Sequence, residues 1–268
     1  MKVEKDMTKK ELLIETLNHR EQDIMPYQLN LTGDVQARLL KELGEDFFVN
    51  NVHNAIADVG VGQTITVDEK RQQDPFGVIW LNDQKGDFGV VEHVQIPEAE
   101  FGDYIFPEAR EDYIRQRCEA FLNNPANKGK MTMFNIGFSM FERAWTLRGM
   151  ENLLMDFIAE PDFAHELMER ITQYNLAVME IALTYDFDIM YFGDDWGQQK
   201  GLIMGPDYWR KFIKPYVKRM YAYAKQKGKY ICQHSCGDIY EIFPDLIEIG
   251  LDIYNTFQPQ TEIISKSF

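Results

Sequence analysis

The spacing of apolar residues predicts an alternation of helices and strands along most of the chain. Thr8 and Glu11 form a capping box ahead of an apolar run with helical spacing that ends at Leu17, which predicts the first helix. Ile24–Leu31 follows as a predicted buried strand. Later apolar runs predict strands at Met131–Ile136, Asp188–Phe192, Tyr230–His234 and Asp252–Thr256. Segments with helical periodicity predict helices at Arg110–Leu122, Glu151–Ala159, Asp162–Tyr185, Tyr208–Gln226 with a kink at Pro215, and Ile239–Ile249.

A segment near residues 61–97 follows a different pattern. Between Val61 and Pro97, short β-rich pieces such as Gly77–Leu81 and Phe88–Ile96 are separated by Asp-Pro, Phe-Gly and Lys-Gly-Asp turns. This composition is typical of a β-hairpin excursion from a larger domain.

The alternation of strand and helix with short connections predicts an α/β fold with a parallel sheet. Its closed form would be a TIM-type (β/α)8 barrel, made by a single domain over residues 1–268. About six strands are predicted, whereas a barrel needs eight. We therefore expect an incomplete barrel that lacks its last βα units.

Composition narrows the class of partners and the compartment. The chain has 268 residues and a formal net charge of −15, which disfavours nucleic-acid binding because that affinity depends on Lys and Arg neutralising phosphates. It has neither the apolar segment of a secretory signal nor an apolar run of about 18 residues, so we expect no membrane insertion. Cys118, Cys232 and Cys236 are irregularly spaced, which indicates free thiols and favours a cytoplasmic location.

The most informative pattern is His234 and Cys236 at the end of a predicted strand. Side chains two residues apart on a strand point to the same face, and an imidazole and a thiolate together can bind zinc. Such a pair is more often part of a core, but here a Gly-Asp turn follows, and active sites of parallel barrels lie at that end of the strands. Cys232 would lie roughly 13 Å from Cys236 in an extended strand, so it is interpreted as a core residue.

Two adjacent carboxylates close the preceding strand at the same end. Asp194 and Asp195 should point to opposite faces, so one is expected to face the pocket and the other to cap a turn or a helix. They are candidate catalytic residues as an acid/base pair. The alternative is a supporting role, such as orienting His234 or a hydrogen bond to substrate.

Other polar and aromatic residues near the strand ends are candidates for substrate binding, with ordinary turn, surface or packing roles as the alternative. Arg143 could form a simple ion pair with Glu142 instead. Trp196 could form a wall of the pocket or pack a helix on the barrel. The polar candidates are Asn135, Arg143, Gln198 and Gln258.

Several motifs in order resemble the uroporphyrinogen decarboxylase superfamily, from about Lys9 to Gln260. They are Gly193-Asp194-Asp195-Trp196-Gly197-Gln198-Gln199, Pro206-Asp207-Tyr208-Trp209, His234-Ser235-Cys236-Gly237 and Gly250…Asn255…Gln258-Pro259. More narrowly they look like its zinc-dependent methyltransferase branch, which includes methylcobalamin:coenzyme M methyltransferases. The resemblance implies a TIM barrel with the site at the carboxyl ends of the strands.

For this branch the resemblance implies zinc bound by a His-x-Cys strand and a later cysteine. Zinc activates a thiol for attack on a cobalt-bound methyl group, and a partner protein carries the corrinoid. His234 and Cys236 match the first two ligands, and the third would lie beyond Phe268. The expected function is methyl transfer between a corrinoid and a small thiol or methylated substrate, by an enzyme that could form a homo-oligomer.

Two other functions stay open. The family's decarboxylases bind a porphyrinogen with an arginine-rich segment after the first strand. The corresponding segment here, Leu29–Val35, holds no arginine, and the first arginine after it is Arg38. The family's pocket tyrosine is also replaced, with Trp145 the closest match, so the residues argue against this reaction. The third hypothesis is a truncated barrel that is inactive or binds a partner.

Overall fold

The computed structural model describes residues 7–31, 33–62, 64–81 and 89–261, which form helices around parallel and antiparallel strands. The helices are α1 (Lys9–Leu17), α2 (Gly33–Leu43), α3 (Glu45–Asn51), α4 (Glu111–Leu122), α5 (Phe141–Arg148), α6 (Met150–Ala159), α7 (Pro161–Ala182), α8 (Pro206–Phe212), α9 (Lys214–Gln226) and α10 (Phe243–Glu248). The strands are β1 (Ile56–Gly60), β2 (Ile65–Thr66), β3 (Arg71–Gln73), β4 (Ile79–Leu81), β5 (Val90–Val91), β6 (Met131–Ile136), β7 (Ile189–Gly193), β8 (Gly197–Gln198), β9 (Gly201–Leu202), β10 (Tyr230–His234) and β11 (Ile253–Asn255).

The central sheet has five parallel strands in the order β1-β6-β7-β10-β11. Each strand pairs with the next central strand along the chain, and helices connect them, which is the α/β arrangement that the sequence predicts. Among the described residues, β1 and β11 are the edges of this sheet, so the cylinder is open between them. The carboxyl ends of all five strands therefore meet at one end of an incomplete barrel.

The concave face of the sheet changes from apolar to polar along the strands. Met131, Met133, Ile189 and Cys232 form a buried cluster there, and apolar residues of α1 pack against it. The same face of the strands then carries Asn135, Tyr191 and His234, since side chains alternate with a period of two. Thus α1 covers the floor of the barrel, and the groups with chemistry lie at its mouth.

The outer face of the sheet holds the larger core. Phe134, Phe192, Trp209 and Tyr221 are almost completely buried between the strands and the helices that follow them. In the described ranges no helix combines the length and the apolar character needed to cross a membrane.

The predicted strand at Ile24–Leu31 is wrong, and the first strand is β1. Pro26 lacks an N–H group for a ladder, and Ile24 and Met25 are 70% and 75% exposed. The segment is instead held beside the chain that enters β1 by separate hydrogen bonds, such as the Asn54 side chain to the Leu29 backbone. The apolar residues of this segment form no buried face, so no strand pairs there.

The antiparallel excursion is confirmed, as a sheet in the order β2-β3-β4-β5. Its predicted strands shorten to β4 and β5, and Phe88 lies outside the described residues. The predicted kink at Pro215 is a break at Ile213, which separates α8 from α9. Helices α2, α3 and α5 were not predicted.

Candidate active site

Three potential ligands converge at the mouth of the barrel, where β7 and β10 end. The ligand atoms of Asp195, His234 and Cys236 all lie within 4.8 Å of one another. His234 Nε2 is 3.5 Å from Cys236 Sγ and 3.4 Å from Asp195 Oδ1. The structure therefore places His234 and Cys236 on one side of the barrel mouth, with Asp195 beside them.

Hydrogen bonds to neighbouring strands and loops hold these three side chains in place. His234 pairs with Asn255 in the β10–β11 register, and its Nδ1 lies 2.5 Å from Asn255 Oδ1. Because an amide oxygen only accepts, Nδ1 carries the hydrogen and Nε2 faces the other two ligands. The Cys236 backbone N–H donates to Asp195 Oδ1 over 2.7 Å, which ties the end of β7 to the end of β10.

Two glycines allow the loops after β7 and β10 to touch. A Cβ atom on Gly237, whose φ is +82°, would lie 2.1 Å from the carbonyl carbon of Gly197. A Cβ on Gly197 would lie 2.7 Å from the Cys236 carbonyl oxygen. Gln258 Oε1 accepts the Gly237 N–H over 2.8 Å and fixes the same turn. Backbone contact at this point brings Asp195 to Cys236, and no side chain larger than hydrogen fits.

Asp194 has a different role from its neighbour, as the alternation along the strand predicts. It is completely buried, and its carboxylate accepts the N–H groups of Phe141 and Glu142 over 2.9 and 2.7 Å. It therefore caps the N-terminus of α5 from 53 residues away, and Trp196 Nε1 also donates to it over 2.5 Å. Burial raises the pKa of Asp194 although these donors oppose the shift. Asp194 positions α5 and cannot contact a bound molecule in this conformation.

Glu142 is a further acidic group at the site that the sequence analysis did not select. It is the second residue of α5, and the charges of Asp194, Asp195 and His234 all act on it. Burial, followed by repulsion from the two aspartates, raises the pKa of Glu142 to about 8. The cap that Asp194 forms from 52 residues away helps to bring the start of α5 here, so no local sequence signal could have identified Glu142.

His234 and Asp195 form an ion pair within this group. Burial disfavours the charged imidazole, but hydrogen bonds to Asp195, Cys236 and Asn255 outweigh burial and raise the pKa of His234 to about 10. Burial also opposes ionisation of Asp195, yet the hydrogen bonds from His234 and Cys236 leave its pKa below the usual range. Without a bound ion the site therefore stabilises opposite charges at its centre, and a metal ion would take the place of the proton on Nε2.

The donor set fits a zinc ion. Zinc binds nitrogen, sulfur and carboxylate oxygen, and its catalytic sites hold three protein ligands and one open position. His234, Cys236 and Asp195 supply one donor of each kind within reach of a single ion. The sequence analysis placed a third ligand beyond Phe268, whereas Asp195 offers a third donor inside the described chain.

A cavity of about 600 Å³ lies at the ends of β1 and β6, at the same end of the sheet as this group. Asn135 and Arg143, both predicted to bind substrate, line it. Arg143 pairs with Asp74 of the excursion, Nη1 to Oδ2 over 2.5 Å, and not with Glu142 as the sequence alternative suggested. The two residues are 69 positions apart, so the pairing has no local signal.

The remaining predicted residues lie elsewhere. Trp196 is completely buried and packs edge to face on Trp209, so it belongs to the core and forms no pocket wall. Trp145 lies half-buried on α5 against the outer core and does not line the cavity. Gln198 is exposed, and its backbone oxygen accepts the Asp238 N–H. Gln258 shapes the turn after Cys236, as described above.

The family assignment agrees with this geometry. The sequence profile described as uroporphyrinogen decarboxylase (URO-D) matches residues 111–259, more than half of the chain. The chain belongs to the uroporphyrinogen decarboxylase family. A solved structure, a methyltransferase from Methanosarcina mazei, superposes with a TM-score of 0.62 over 93% of this chain and 76% of that one, at 12% identity. No curated protein is significantly similar to the chain.

At this level of identity the superposition establishes the fold. The fold is of the TIM-barrel type, and the five parallel strands form an incomplete barrel. This outcome confirms the fold class and the resemblance inferred from the four sequence motifs.

Proposed function

We propose that this protein is a zinc-dependent enzyme that transfers a methyl group between a corrinoid, carried by a partner protein, and a small thiol or methylated substrate. The observation that carries the proposal is the convergence of Asp195, His234 and Cys236 within 4.8 Å at the strand ends. The methyltransferase of the same fold supports the reaction class. The family also contains decarboxylases, so the metal content and the reaction catalysed must distinguish methyl transfer from decarboxylation.

Each residue of the site has a separate task in this proposal. His234, Cys236 and Asp195 would hold the ion, and Asn255, by accepting from Nδ1 of His234, would leave Nε2 as the ligand atom. The Gly197–Gly237 contact fixes the distance between the two loops that bear the ligands. Zinc, when bound, lowers the pKa of a coordinated thiol so that thiolate is present at neutral pH.

The proposed reaction balances without a further reactant. The carbon–sulfur bond forms as the cobalt–carbon bond breaks, and the bonding electron pair stays on cobalt. The thiol loses its proton before the transfer. The residues of the chain bind and orient the reactants at the barrel mouth, which is open to solvent at His234 and Asp195.

Metal content is the first test, because it does not depend on activity. After zinc loading and dialysis, we expect one zinc per chain by elemental analysis. Cys236→Ser, His234→Ala and Asp195→Asn should each reduce zinc affinity at least tenfold. Cys232→Ala is the matched control, since this thiol is buried in the barrel interior and outside the ligand group. It should retain the ion.

Activity tests the remainder of the proposal. With methylcobalamin and coenzyme M as probes, the zinc-loaded protein should convert methylcobalamin to cob(I)alamin, followed by absorbance. The Cys236→Ser protein should not. Carbon dioxide release from uroporphyrinogen, with no zinc bound by the wild type, would replace the proposal with decarboxylation. A protein that melts without cooperativity and shows neither reaction would support the inactive-fragment hypothesis.

A further inference from the structure

The cavity at the ends of β1 and β6 contains a cation whose hydrogen-bonding capacity is only partly used. Arg143 is 7% exposed and lines the cavity. Its Nη1 donates to Asp74 Oδ2 over 2.5 Å and to Thr146 Oγ1 over 3.3 Å. Its Nε is buried and has no partner in the described chain. No hydrogen bond between described residues involves its Nη2 either, so the Nε–Nη2 edge of the guanidinium lacks an acceptor.

Asp74 cannot satisfy that edge, because its own oxygens are already occupied. Oδ2 accepts from Arg143 and from Trp80 Nε1 over 3.2 Å. Oδ1 accepts the backbone N–H groups of Phe76 and Val78 over 2.9 and 3.1 Å. Asp74 therefore pairs with Nη1 of Arg143 through one oxygen and stabilises the turn of the excursion through the other. A buried donor left without a partner is destabilising, which favours an acceptor supplied by a ligand.

The walls around Arg143 are mostly apolar and aromatic. Its guanidinium carbon lies 4.2 Å from the ring centroid of Phe76, and Trp80 and Phe138 meet edge to face at 5.2 Å. Tyr174 completes this side. A volume of about 600 Å³ is typical of small-molecule sites, which combine apolar walls with a few polar groups. The walls fit the apolar body of a ligand, and the Arg143 edge fits its acidic group.

We propose that this cavity binds a small carboxylate with a flat apolar body, and that its two oxygens accept hydrogen bonds from Nε and Nη2 of Arg143. Arginine recognises carboxylates in this two-point geometry, whereas lysine acts as a point charge. The inference deepens the proposed function by naming a substrate class, and it rests on that function only for the ligand's role as a reactant.

The position of the cavity agrees with this role. Asn135 on β6 lines the cavity and pairs with Tyr191 on β7. The Tyr191 ring centroid is 6.4 Å from that of His234 on β10. Because neighbouring strands lie about 4.8 Å apart, β6 and β10 are about 10 Å apart. The cavity therefore lies at the same end of the sheet as the ligands of the proposed metal site, two strands away from β10.

Calorimetric titration with benzoate and with its neutral analogue benzamide tests the inference. We expect benzoate to bind the wild type at least tenfold more tightly than benzamide, in the zinc-free and in the zinc-loaded protein. The net charge of −15 opposes non-specific binding of an anion, so a clear preference reports a local cation. Arg143→Lys keeps the positive charge beside Asp74 but cannot donate two parallel hydrogen bonds to one carboxylate. It should therefore weaken benzoate binding at least tenfold.

Arg115→Lys is the matched control, because Arg115 is an exposed residue that pairs with Glu111. It should bind benzoate like the wild type.

A crystallographic experiment tests the inference if Arg143→Lys fails to fold. Crystals of the wild type are soaked in 4-bromobenzoate, and the anomalous signal of bromine locates the ligand, which we expect in this cavity. Equal affinity for benzoate and benzamide, benzoate binding unaffected by Arg143→Lys, or bromine elsewhere would overturn the inference. Loss of zinc binding with retained benzoate binding would contradict the proposed function and leave this inference intact.

Discussion

The part of the chain before residue 111 and the part after it build two different sides of the barrel mouth. Residues 111–261 provide four of the five parallel strands and all the proposed zinc ligands, and the family profile matches this part. The earlier part provides β1, the excursion and Asp74, and its helix α2 buries no residue. The two parts meet along the β1–β6 pairing, under the floor that α1 covers, and at the Arg143–Asp74 pair, which ties the excursion to α5.

This difference indicates how the two sides divide their tasks. Around His234, Asp195 and Cys236, loops that follow neighbouring strands contact one another directly, so the geometry belongs to the barrel itself. Around Arg143, an excursion folded over the strand ends supplies the counter-charge and the aromatic walls. The barrel therefore fixes the group of potential ligands, and the excursion shapes the cavity around Arg143.

The largest effect is expected where the two parts are joined. Asp74→Ala removes the acceptor of Arg143, of Trp80 Nε1 and of two backbone N–H groups of the excursion. Because a buried arginine loses its counter-charge, we expect the free energy of unfolding to fall by about 3–5 kcal/mol. Urea denaturation followed by tryptophan fluorescence measures this change.

The control for that experiment is Asp68→Ala in the same excursion. Asp68 pairs with Arg71 at the surface, where solvent screens the interaction, so little change is expected. If Asp74→Ala costs no more than this control, contacts other than the Arg143–Asp74 pair hold the excursion on the barrel.

A smaller effect is expected within the barrel part. Gly237→Ala places a methyl group against the Gly197 backbone and forces a left-handed φ on alanine. We expect a loss of about 2–4 kcal/mol in stability together with weaker zinc binding, since the loop that bears Cys236 must move. Gly62→Ala, in open space on the cavity side, is the matched control. Unchanged melting and metal content of Gly237→Ala would show that the loops do not need this contact.

The smallest effect is expected from Glu142→Gln in the zinc-free protein, and it depends on pH. Folding raises the pKa of Glu142 from 4.5 to about 8, so the wild type loses stability as pH rises between these values. A neutral glutamine at this position removes the loss of stability with rising pH. The variant should match the wild type near pH 4.5 and be more stable by about 1–2 kcal/mol at pH 8, less than the roughly 4–5 kcal/mol of the full shift because solvent at the open mouth screens the charge.

Thermal denaturation at both pH values measures this difference, with exposed Glu151→Gln as the matched control. Burial and the neighbouring Asp194 and Asp195 charges disfavour the ionised form of Glu142, and His234 partly offsets them. A difference that is equal at both pH values would show that Glu142 acts through packing rather than through its charge.

Local patterns predicted most of the barrel part correctly. The bounds of β6 and β10 agree with the predicted Met131–Ile136 and Tyr230–His234, because their apolar runs are continuous and end at turn residues. The errors lie in the first part, where Ile24–Leu31 imitates a strand and β1 contains the polar Asp58. Helix α5 was missed because its cap, Asp194, is remote in sequence.

The sequence by itself determined that His234 and Cys236 share a face, that Asp194 and Asp195 diverge, and that parallel strands alternate with helices. These properties follow from the period of two along a strand and from local turn chemistry. Only the tertiary structure decided that Asp195 joins the two ligands, that Asn255 orients His234 and that Asp74 pairs with Arg143. Strand register and backbone contacts between distant glycines set these pairings, and both depend on residues that no local pattern connects.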